Sequence, residues 1–191
     1  MTILPIQIYG EPVLHSPAEP VGEITDEVRA LVADMLETMT AAPGVGLAAP
    51  QVGVGKRLFV YDWTDEEGVR HHGTAIDPEL WLAPSTPESI DELDDEEESE
   101  GCLSFPGERF PIRRSARVIL RARDLEGEPY ELVAEGWLAR ILQHEYDHLD
   151  GVIYVDRLEV PIWKTAQKTM RKRRWGVPGN SWTPGVDDLE G

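Results

Sequence analysis

Two histidines and one glutamate stand close together, because residues 144–148 read HEYDH. Residues four apart on an α-helix project from the same face, so both imidazoles can bind one metal ion. The glutamate beside the first histidine can then reach a water on that ion and take its proton. Ile141 and Leu142 just upstream indicate that this face turns inward, where histidines and a carboxylate need partners. The pattern favours a metal-dependent hydrolase site over two surface histidines.

A catalytic metal site commonly has three protein ligands and one open position, so a third ligand is needed. No histidine follows His148, which disfavours the metzincin arrangement, and Glu159 would complete a thermolysin-like site only from beyond the turn at Gly151. Residues 100–104 read EGCLS and contain Cys102, the one cysteine of the chain. A lone cysteine is more often a buried apolar residue. A thiolate beside a dication is deprotonated, however, which makes Cys102 a candidate ligand.

The composition limits what else the chain can be. Its 191 residues suffice for one domain with a hydrophobic core, and a single cysteine excludes an internal disulfide. Residues 1–10 lack the basic start and the apolar run of a secretory signal. No apolar stretch approaches the roughly 20 residues that span a bilayer. We therefore expect a cytoplasmic protein without membrane association.

The net charge of −18 is unevenly distributed. Eight of the ten residues 91–100 are acidic, and the remainder of the chain still carries −10. Such a charge disfavours a specific nucleic-acid binder. A local cluster of positive charge occurs at residues 171–174, which read RKRR. A basic cluster of this kind is typical of a solvated helix end.

Hydrophobic periodicity predicts three helices. The first begins after Thr25 as N-cap and ends before Pro43, the second spans about 135–149 with the HEYDH motif, and the third, basic, spans about 162–174. Alternating and β-branched segments predict strands at 57–62, 74–82, 117–123, 130–134 and 152–155. Residues 85–100, rich in proline, serine and acid, predict a solvated loop. The mixture of short strands and amphipathic helices predicts an α+β fold.

Three motifs together resemble the signatures of one family. They are similar, in order and in spacing, to the three motifs of the peptide deformylases, and they read GVGLAAPQ at 44–51, EGCLS at 100–104 and QHEYDHLDG at 143–151. The likeness extends from about Ile8 to Leu158. It implies small mixed or antiparallel sheets packed around a central HExxH helix, with an N-terminal and a C-terminal helix.

The resemblance also implies how the chain is organised. We expect a single catalytic domain over residues 1–175, with an acidic loop insertion at 84–99 and a flexible C-terminal tail at 176–191. Asp77-Pro78 stands where the family commonly has Asn-Pro. This departure affects a local turn and none of the candidate metal ligands.

Peptide deformylases remove the formyl group from the initiator methionine of newly made polypeptides. By resemblance, Cys102, His144 and His148 are the ligands of one Fe²⁺ per chain, with water in the fourth position. Their donor chemistry also permits Zn²⁺, Ni²⁺ or Co²⁺. Glu145 is implied as the base that accepts a proton from the attacking water and later delivers it to the leaving amine.

The resemblance implies further residues that bind the reacting group and the peptide. The side-chain amide of Gln51 and the backbone N–H of Leu103 match the family's donors to the oxyanion that forms on the formyl carbon. The substrate is expected to lie extended between the segment Val45-Gly46 and Gly101, with main-chain pairing.

A pocket for the methionine side chain is predicted from the same comparison of motifs. Val45, Trp137 and Ile141 are its expected lining residues. Arg109 is expected to orient the active-site loop or carboxylates near the entrance. The substrate class that follows is N-formylmethionyl nascent peptides.

Two alternative functions and one further partner are consistent with parts of the sequence. A zinc peptidase with the same HExxH helix would need a third ligand other than Cys102. A non-catalytic interaction protein on a deformylase scaffold would have lost Glu145 or Gln51, and both are present. The basic helix, through residues 164–174, is a candidate for a transient ribosome contact.

Overall fold

The computed structural model describes residues 2–84, 98–187 and 189. Its longer helices are α1 (Asp26–Ala41), α2 (Gly136–Leu149) and α3 (Val160–Arg173). Short 3₁₀ helices occur at Pro12–His15, Ala49–Val52 and Tyr154–Arg157. No helix in this part of the chain has the length and apolar character that crossing a membrane requires.

The strands of the described residues form three antiparallel sheets. In chain order they are β1 (Ile6–Gln7), β2 (Gly46–Ala48), β3 (Leu58–Thr64), β4 (Arg70–Leu82), β5 (Ser99–Cys102), β6 (Phe105–Pro111), β7 (Arg117–Arg123), β8 (Pro129–Glu135) and β9 (Ser181–Trp182). The largest sheet has the order β2-β3-β4-β7-β8, whereas β5 pairs with β6 and β1 with β9. The predicted α+β class is confirmed.

The five-stranded sheet packs one face against α2. Along β7, Val118, Leu120 and Ala122 are buried while the residues between them are exposed or half-buried, as the period of two in a strand requires. They join Leu138 and Leu142 of α2 in one apolar cluster. This packing makes α2 the central helix and fixes the direction in which its polar face points.

The first helix packs on another part of the same sheet. Val32, Met35 and Met39 of α1 are buried in a cluster with residues of β2 and β3. Thr25 is the N-cap, as predicted, but it makes no side-chain bond to the backbone. Its hydroxyl bonds the Glu27 side chain instead, an interaction that lowers the pKa of that carboxyl.

A backbone irregularity in β4 explains why an aspartate is accommodated at position 77. The register of β4 against β7 shifts between Ile76 and Glu79, and Asp77 has a φ of 49°. Asp and Asn tolerate this left-handed region better than most residues. The Asp77 carboxylate accepts a bond from the Val21 N–H at 2.7 Å and pairs with Arg123. The aspartate therefore adds an ion pair to the turn.

Two predictions of local structure are wrong. Residues 152–155 were expected to form a strand, but Tyr154–Arg157 is a 3₁₀ helix. The Asp156 carboxylate accepts the Ile153 N–H at 3.0 Å, which closes the turn locally in place of a strand ladder. The loop predicted at 85–100 ends early, because Ser99–Cys102 is β5. Residues 85–97, most of the predicted insertion at 84–99, lie outside the described residues.

The C-terminal segment is attached to the rest of the fold. In β9, Ser181 pairs with Gln7 and Trp182 pairs with Ile6 of β1. Trp182 is only 3% exposed. Residues 181–182 are therefore paired with the N-terminal strand, and the flexible tail expected over 176–191 stays a prediction.

Candidate active site

Three predicted metal ligands converge between α2 and β5. His144 and His148 lie one turn apart on α2, with ring centroids 5.0 Å from each other, and Cys102 ends β5. One ligand atom from each residue lies within 4.8 Å of the other two, and all three residues are buried. The Cys102 Sγ is 3.3 Å from the His148 Nε2. Tetrahedral bonds of about 2.3 Å to sulfur and 2.0–2.1 Å to nitrogen would separate these atoms by roughly 3.6 Å, so the residues fit one small dication.

The protonation of the two histidines also fits a cation site. Burial and the nearby His144 hold the pKa of His148 well below its usual range, which leaves its ring neutral and able to ligate. Burial opposes charge on His144 too, but Cys102 and Glu100 outweigh it and raise the pKa of His144 well above its usual range. A dication bound here would take the place of the proton on His144.

Glu100 orients one of the predicted ligands, His144. Its Oε2 lies 3.0 Å from the His144 Nδ1, so the other ring nitrogen of His144 is free for the metal cluster. Arg114 donates to both Glu100 oxygens at 2.9 Å, and Arg140 donates to Oε1 at 2.9 Å. Burial disfavours the carboxylate, but the bonds from His144 and Arg114 outweigh it and hold the pKa of Glu100 well below its usual range.

The same network reaches a second residue of α2. Arg114 also donates to Asp147 at 2.6 Å, and Arg157 donates to both Asp147 oxygens at 2.7 Å. Asp147 is buried, as is Glu100. Arg114 therefore links the strand that carries Cys102 to the helix that carries both histidines.

Sequence reasoning placed Glu100 in a solvated acidic run and missed this contribution. The signal that could have found it is the spacing of EGCLS, because residues two apart on a strand share a face. Glu100 and Cys102 do share a face of β5 and are both buried.

We expect Glu100→Gln to weaken metal binding by about 10–100-fold, because it removes the charged acceptor of the His144 ring N–H. It should also destabilise the fold by about 3–5 kcal/mol, because the buried Arg114 loses the negative charge of Glu100 as its partner. Competition with a chelator measures the first effect and urea unfolding the second. Glu108→Gln, a change on the neighbouring strand β6, is the control, and equal metal affinity in both variants would contradict this expectation.

Glu145 lies beside the ligands and against β2. It is 4% exposed, and its Oε2 has no hydrogen-bond partner among the described residues. Burial raises the pKa of Glu145 to about 7. A Cβ atom on Gly46 would lie 2.3 Å from the Glu145 Oε1. Only glycine at position 46 allows this carboxyl to sit where it does.

Gly46→Ala should therefore displace Glu145 and lower kcat by about 100-fold, the cost of moving a reacting group by about 1 Å. Steady-state kinetics with a formylated peptide measure this loss. Gly55→Ala is the matched control, because a Cβ there would meet only the Val13 Cγ2 at 3.9 Å. A Gly46→Ala enzyme with wild-type kcat would show that Glu145 is not confined by β2.

Gln51 reaches the cluster from the 3₁₀ helix Ala49–Val52. Its Oε1 accepts the Ala48 N–H at 2.8 Å, which directs the amide nitrogen towards the metal ligands. That nitrogen lies 3.7 Å from the Cys102 Sγ and donates to the Ser104 Oγ at 3.3 Å. The side chain is 1% exposed, so its orientation is fixed by these partners.

A cavity of about 490 Å³ opens beside the cluster. It brings together the predicted site residues other than His148, namely Val45, Gly46, Gln51, Gly101, Cys102, Leu103, Arg109, Trp137, Ile141, His144 and Glu145. Arg109 donates to the Ser99 carbonyl at 3.0 Å, close to Gly101. Trp63 and Arg140 also line the cavity and were not predicted. The Arg140 guanidinium lies 5.6 Å from the Trp137 ring centre, within the range of a cation–π contact.

A buried Cys-His-His cluster beside a carboxyl, at the floor of an open cavity, defines a metal-dependent hydrolase. The family model described as Polypeptide deformylase matches residues 3–161. The chain belongs to the polypeptide deformylase family. It is thus an enzyme that removes the N-formyl group from nascent peptides.

Several peptide deformylases are similar in sequence to this chain over nearly its whole length. The peptide deformylase of Mycolicibacterium smegmatis is 47% identical over 192 residues, which cover 97% of this chain and 96% of the relative. That of Tropheryma whipplei strain TW08/27 is 45% identical and covers 95% and 94%. The crystal structure of the Synechococcus elongatus enzyme in complex with actinonin has a TM-score of 0.75 at 37% identity, covering 93% of this chain and 92% of that one.

Proposed function

We propose that this enzyme deformylates N-terminal formylmethionine with one Fe²⁺ held by Cys102, His144 and His148. The observation that carries the proposal is the convergence of these three buried ligand atoms beside Glu145. Iron follows from the family resemblance, while a thiolate with two imidazoles also accepts Zn²⁺, Ni²⁺ or Co²⁺. When bound, the ion acts as a Lewis acid and makes hydroxide available near neutral pH. We place the enzyme in the cytoplasm, where formylated nascent chains arise.

Glu145 is proposed to transfer a proton from the attacking water to the leaving amine. Its unbonded Oε2 is buried next to His144, so it can accept a proton from the attacking water without competition from another donor. The same carboxyl then delivers the proton to the amine that leaves. The contact with Gly46 holds it in one place through both transfers.

Gln51 and Leu103 are proposed to stabilise the oxyanion that forms on the formyl carbon. The Gln51 amide nitrogen lies 3.7 Å from the Cys102 Sγ, and Leu103 follows Cys102 directly. Both donors would therefore lie beside Cys102, one of the residues proposed to hold the ion. Loss of one such donor costs about 2.7–4 kcal/mol of transition-state stabilisation.

The peptide is proposed to bind in the cavity as an extended strand. Val45-Gly46 and Gly101 border the cavity from two different strand segments, and their backbones can pair with a substrate on either side. Trp137 and Ile141 line the same cavity as a wall for the methionine side chain. Arg109 is proposed to keep the segment around Gly101 in place through its bond to the Ser99 carbonyl.

Ile141→Asp tests the methionine pocket. Ile141 is 4% exposed and lines the cavity, so a carboxylate there should raise KM for formyl-Met peptides at least about tenfold, because apolar contact is replaced by charge. Val133→Asp, at a valine that is 46% exposed outside this cavity, is the control. Unchanged KM and kcat in Ile141→Asp would remove Ile141 from the pocket.

The proposed activity is tested by hydrolysis of formyl-Met-Ala-Ser with protein purified anaerobically and loaded with Fe²⁺. Acetyl-Met-Ala-Ser serves as the control substrate, because it differs only in the acyl group. Release of formate from the first peptide and little reaction with the second is the expected result. No hydrolysis with Fe²⁺, Ni²⁺ or Zn²⁺, despite one bound ion per chain, would refute the assignment.

A transient contact with the ribosome through α3 is also proposed. Lys164, Lys168, Arg171 and Lys172 are exposed on this helix, while Ala166 and Met170 face the core. An acidic protein thus presents one local basic face, suited to the phosphates of ribosomal RNA. Changing these four cations to glutamine should reduce co-sedimentation with ribosomes at low salt. The control is a variant in which Arg117 and Arg121 of β7 are neutralised instead, and it should co-sediment like wild type. Unchanged co-sedimentation of the α3 variant would exclude the contact.

A further inference from the structure

We propose that Trp182, in the C-terminal segment, is a positioning residue for the oxyanion donor Leu103. The inference rests on the proposed function, because it needs the Leu103 N–H to bind the oxyanion. The family model ends at residue 161, so the matched region does not include this tryptophan.

Trp182 is joined to Leu103 by a hydrogen bond. The indole N–H of Trp182 donates to the Leu103 carbonyl at 2.8 Å. Trp182 is 3% exposed, and its ring packs with Ile6, Ile8 and Ala42 in a small apolar cluster that also contacts Leu103. A bond in this dry setting is stronger than it would be in water.

The Leu103 side chain is confined by the loop before β2 as well. A Cβ on Gly44 would lie 2.9 Å from the Leu103 Cδ1, so the side chain packs tightly against Gly44. Leu103 is thus held between the substrate-binding loop and the tryptophan. The indole bond fixes the Leu103–Ser104 peptide, which is adjacent to the peptide that carries the Leu103 N–H.

The residue after Leu103, Ser104, is also anchored by backbone hydrogen bonds. The Ser104 carbonyl accepts the Tyr9 N–H at 2.9 Å, and the Tyr9 carbonyl accepts the Gly176 N–H at 2.9 Å. The Ile8 N–H in turn donates to the Asn180 carbonyl at 3.0 Å. Leu103 and Ser104 are therefore bonded to Trp182 of the C-terminal segment and to Tyr9, which follows β1.

This arrangement matters because oxyanion donors act through preorganisation. A displacement of about 1 Å in a catalytic group can cost about 100-fold in rate. Removal of the indole N–H frees the Leu103 carbonyl without touching the metal ligands, so we expect a smaller loss, of about tenfold in kcat.

The test compares the full-length Trp182→Phe enzyme with wild type on formyl-Met-Ala-Ser. Phenylalanine keeps an aromatic ring but has no N–H. We expect kcat to fall about tenfold while KM stays within about twofold and the bound metal is unchanged. Ser181→Ala, at the exposed neighbour in β9, is the control and should match wild type.

A second variant guards against a folding defect in Trp182→Phe. Site-specific incorporation of 3-benzothienylalanine at position 182 preserves the bicyclic shape and replaces the N–H by sulfur, and it should reproduce the loss of kcat. Wild-type kcat in this variant, or a loss that follows only metal content or the folded fraction, overturns the inference. If Gln51→Ala lowers kcat and the position-182 variants do not, the proposed function stands and only the inference fails.

Discussion

Replacing Glu145 by glutamine should lower kcat for formyl-Met peptides by about 10²–10⁴-fold. Glutamine has nearly the same volume but cannot accept and return the proton. Glu145 is not one of the three clustered ligands, so the metal should remain bound. Rates of formate release, measured with metal content on the same sample, check both statements.

The matched control for this variant is Glu128→Gln, which makes the same chemical change on an exposed turn. It should retain the wild-type rate. If Glu145→Gln kept more than about a tenth of the wild-type kcat, Glu145 would not be the general base. If it lost its metal instead, the carboxyl would be acting through the ligands.

The second large effect is expected from the ligands. Cys102→Ala and His148→Ala should each lose most of the bound metal on dialysis and at least about 100-fold in activity, because the Lewis acid is no longer held. Metal analysis of the dialysed protein and assay with excess metal separate weak binding from lost chemistry. His72→Ala, an exposed histidine on β4, is the control.

Cys102→Ala also decides between the deformylase site and a peptidase-like site. A peptidase-like site would use Glu159 as third ligand, but Glu159 lies at the start of α3 and pairs with Arg113 at 3.5 Å. We therefore expect no intact metal site without Cys102. Full metal occupancy in Cys102→Ala would contradict the ligand assignment.

The helices and the two histidines of the cluster could be predicted from the sequence because their signals are local, whereas Cys102 lies far from them in sequence and its role as third ligand was implied by the family resemblance. The apolar spacing of α2 places one stripe in the core and leaves its histidines on a common face. The hairpin of β7 and β8 follows from alternation around a turn at residues 124–128. In each case residues within one or two turns of chain carry the information.

Glu100 and Trp182 could not be recognised in this way. Glu100 ends an acidic run, and its burial depends on Arg114 and Arg140, which come from elsewhere in the chain. Trp182 is a single aromatic residue in a segment rich in glycine and proline, and its partner strand is at the opposite end of the chain. Such contacts leave no periodic trace in the sequence.

The pairing of β1 with β9 has a consequence for biosynthesis. Ile6 leaves the ribosome long before Trp182, yet they are neighbours in one small sheet. Because a chain is made from its N-terminus, β1 must wait without its strand partner until residues 181–182 emerge. The ladder between β1 and β9 therefore closes only after all the residues between the two strands have been translated, and contacts so distant in sequence form slowly.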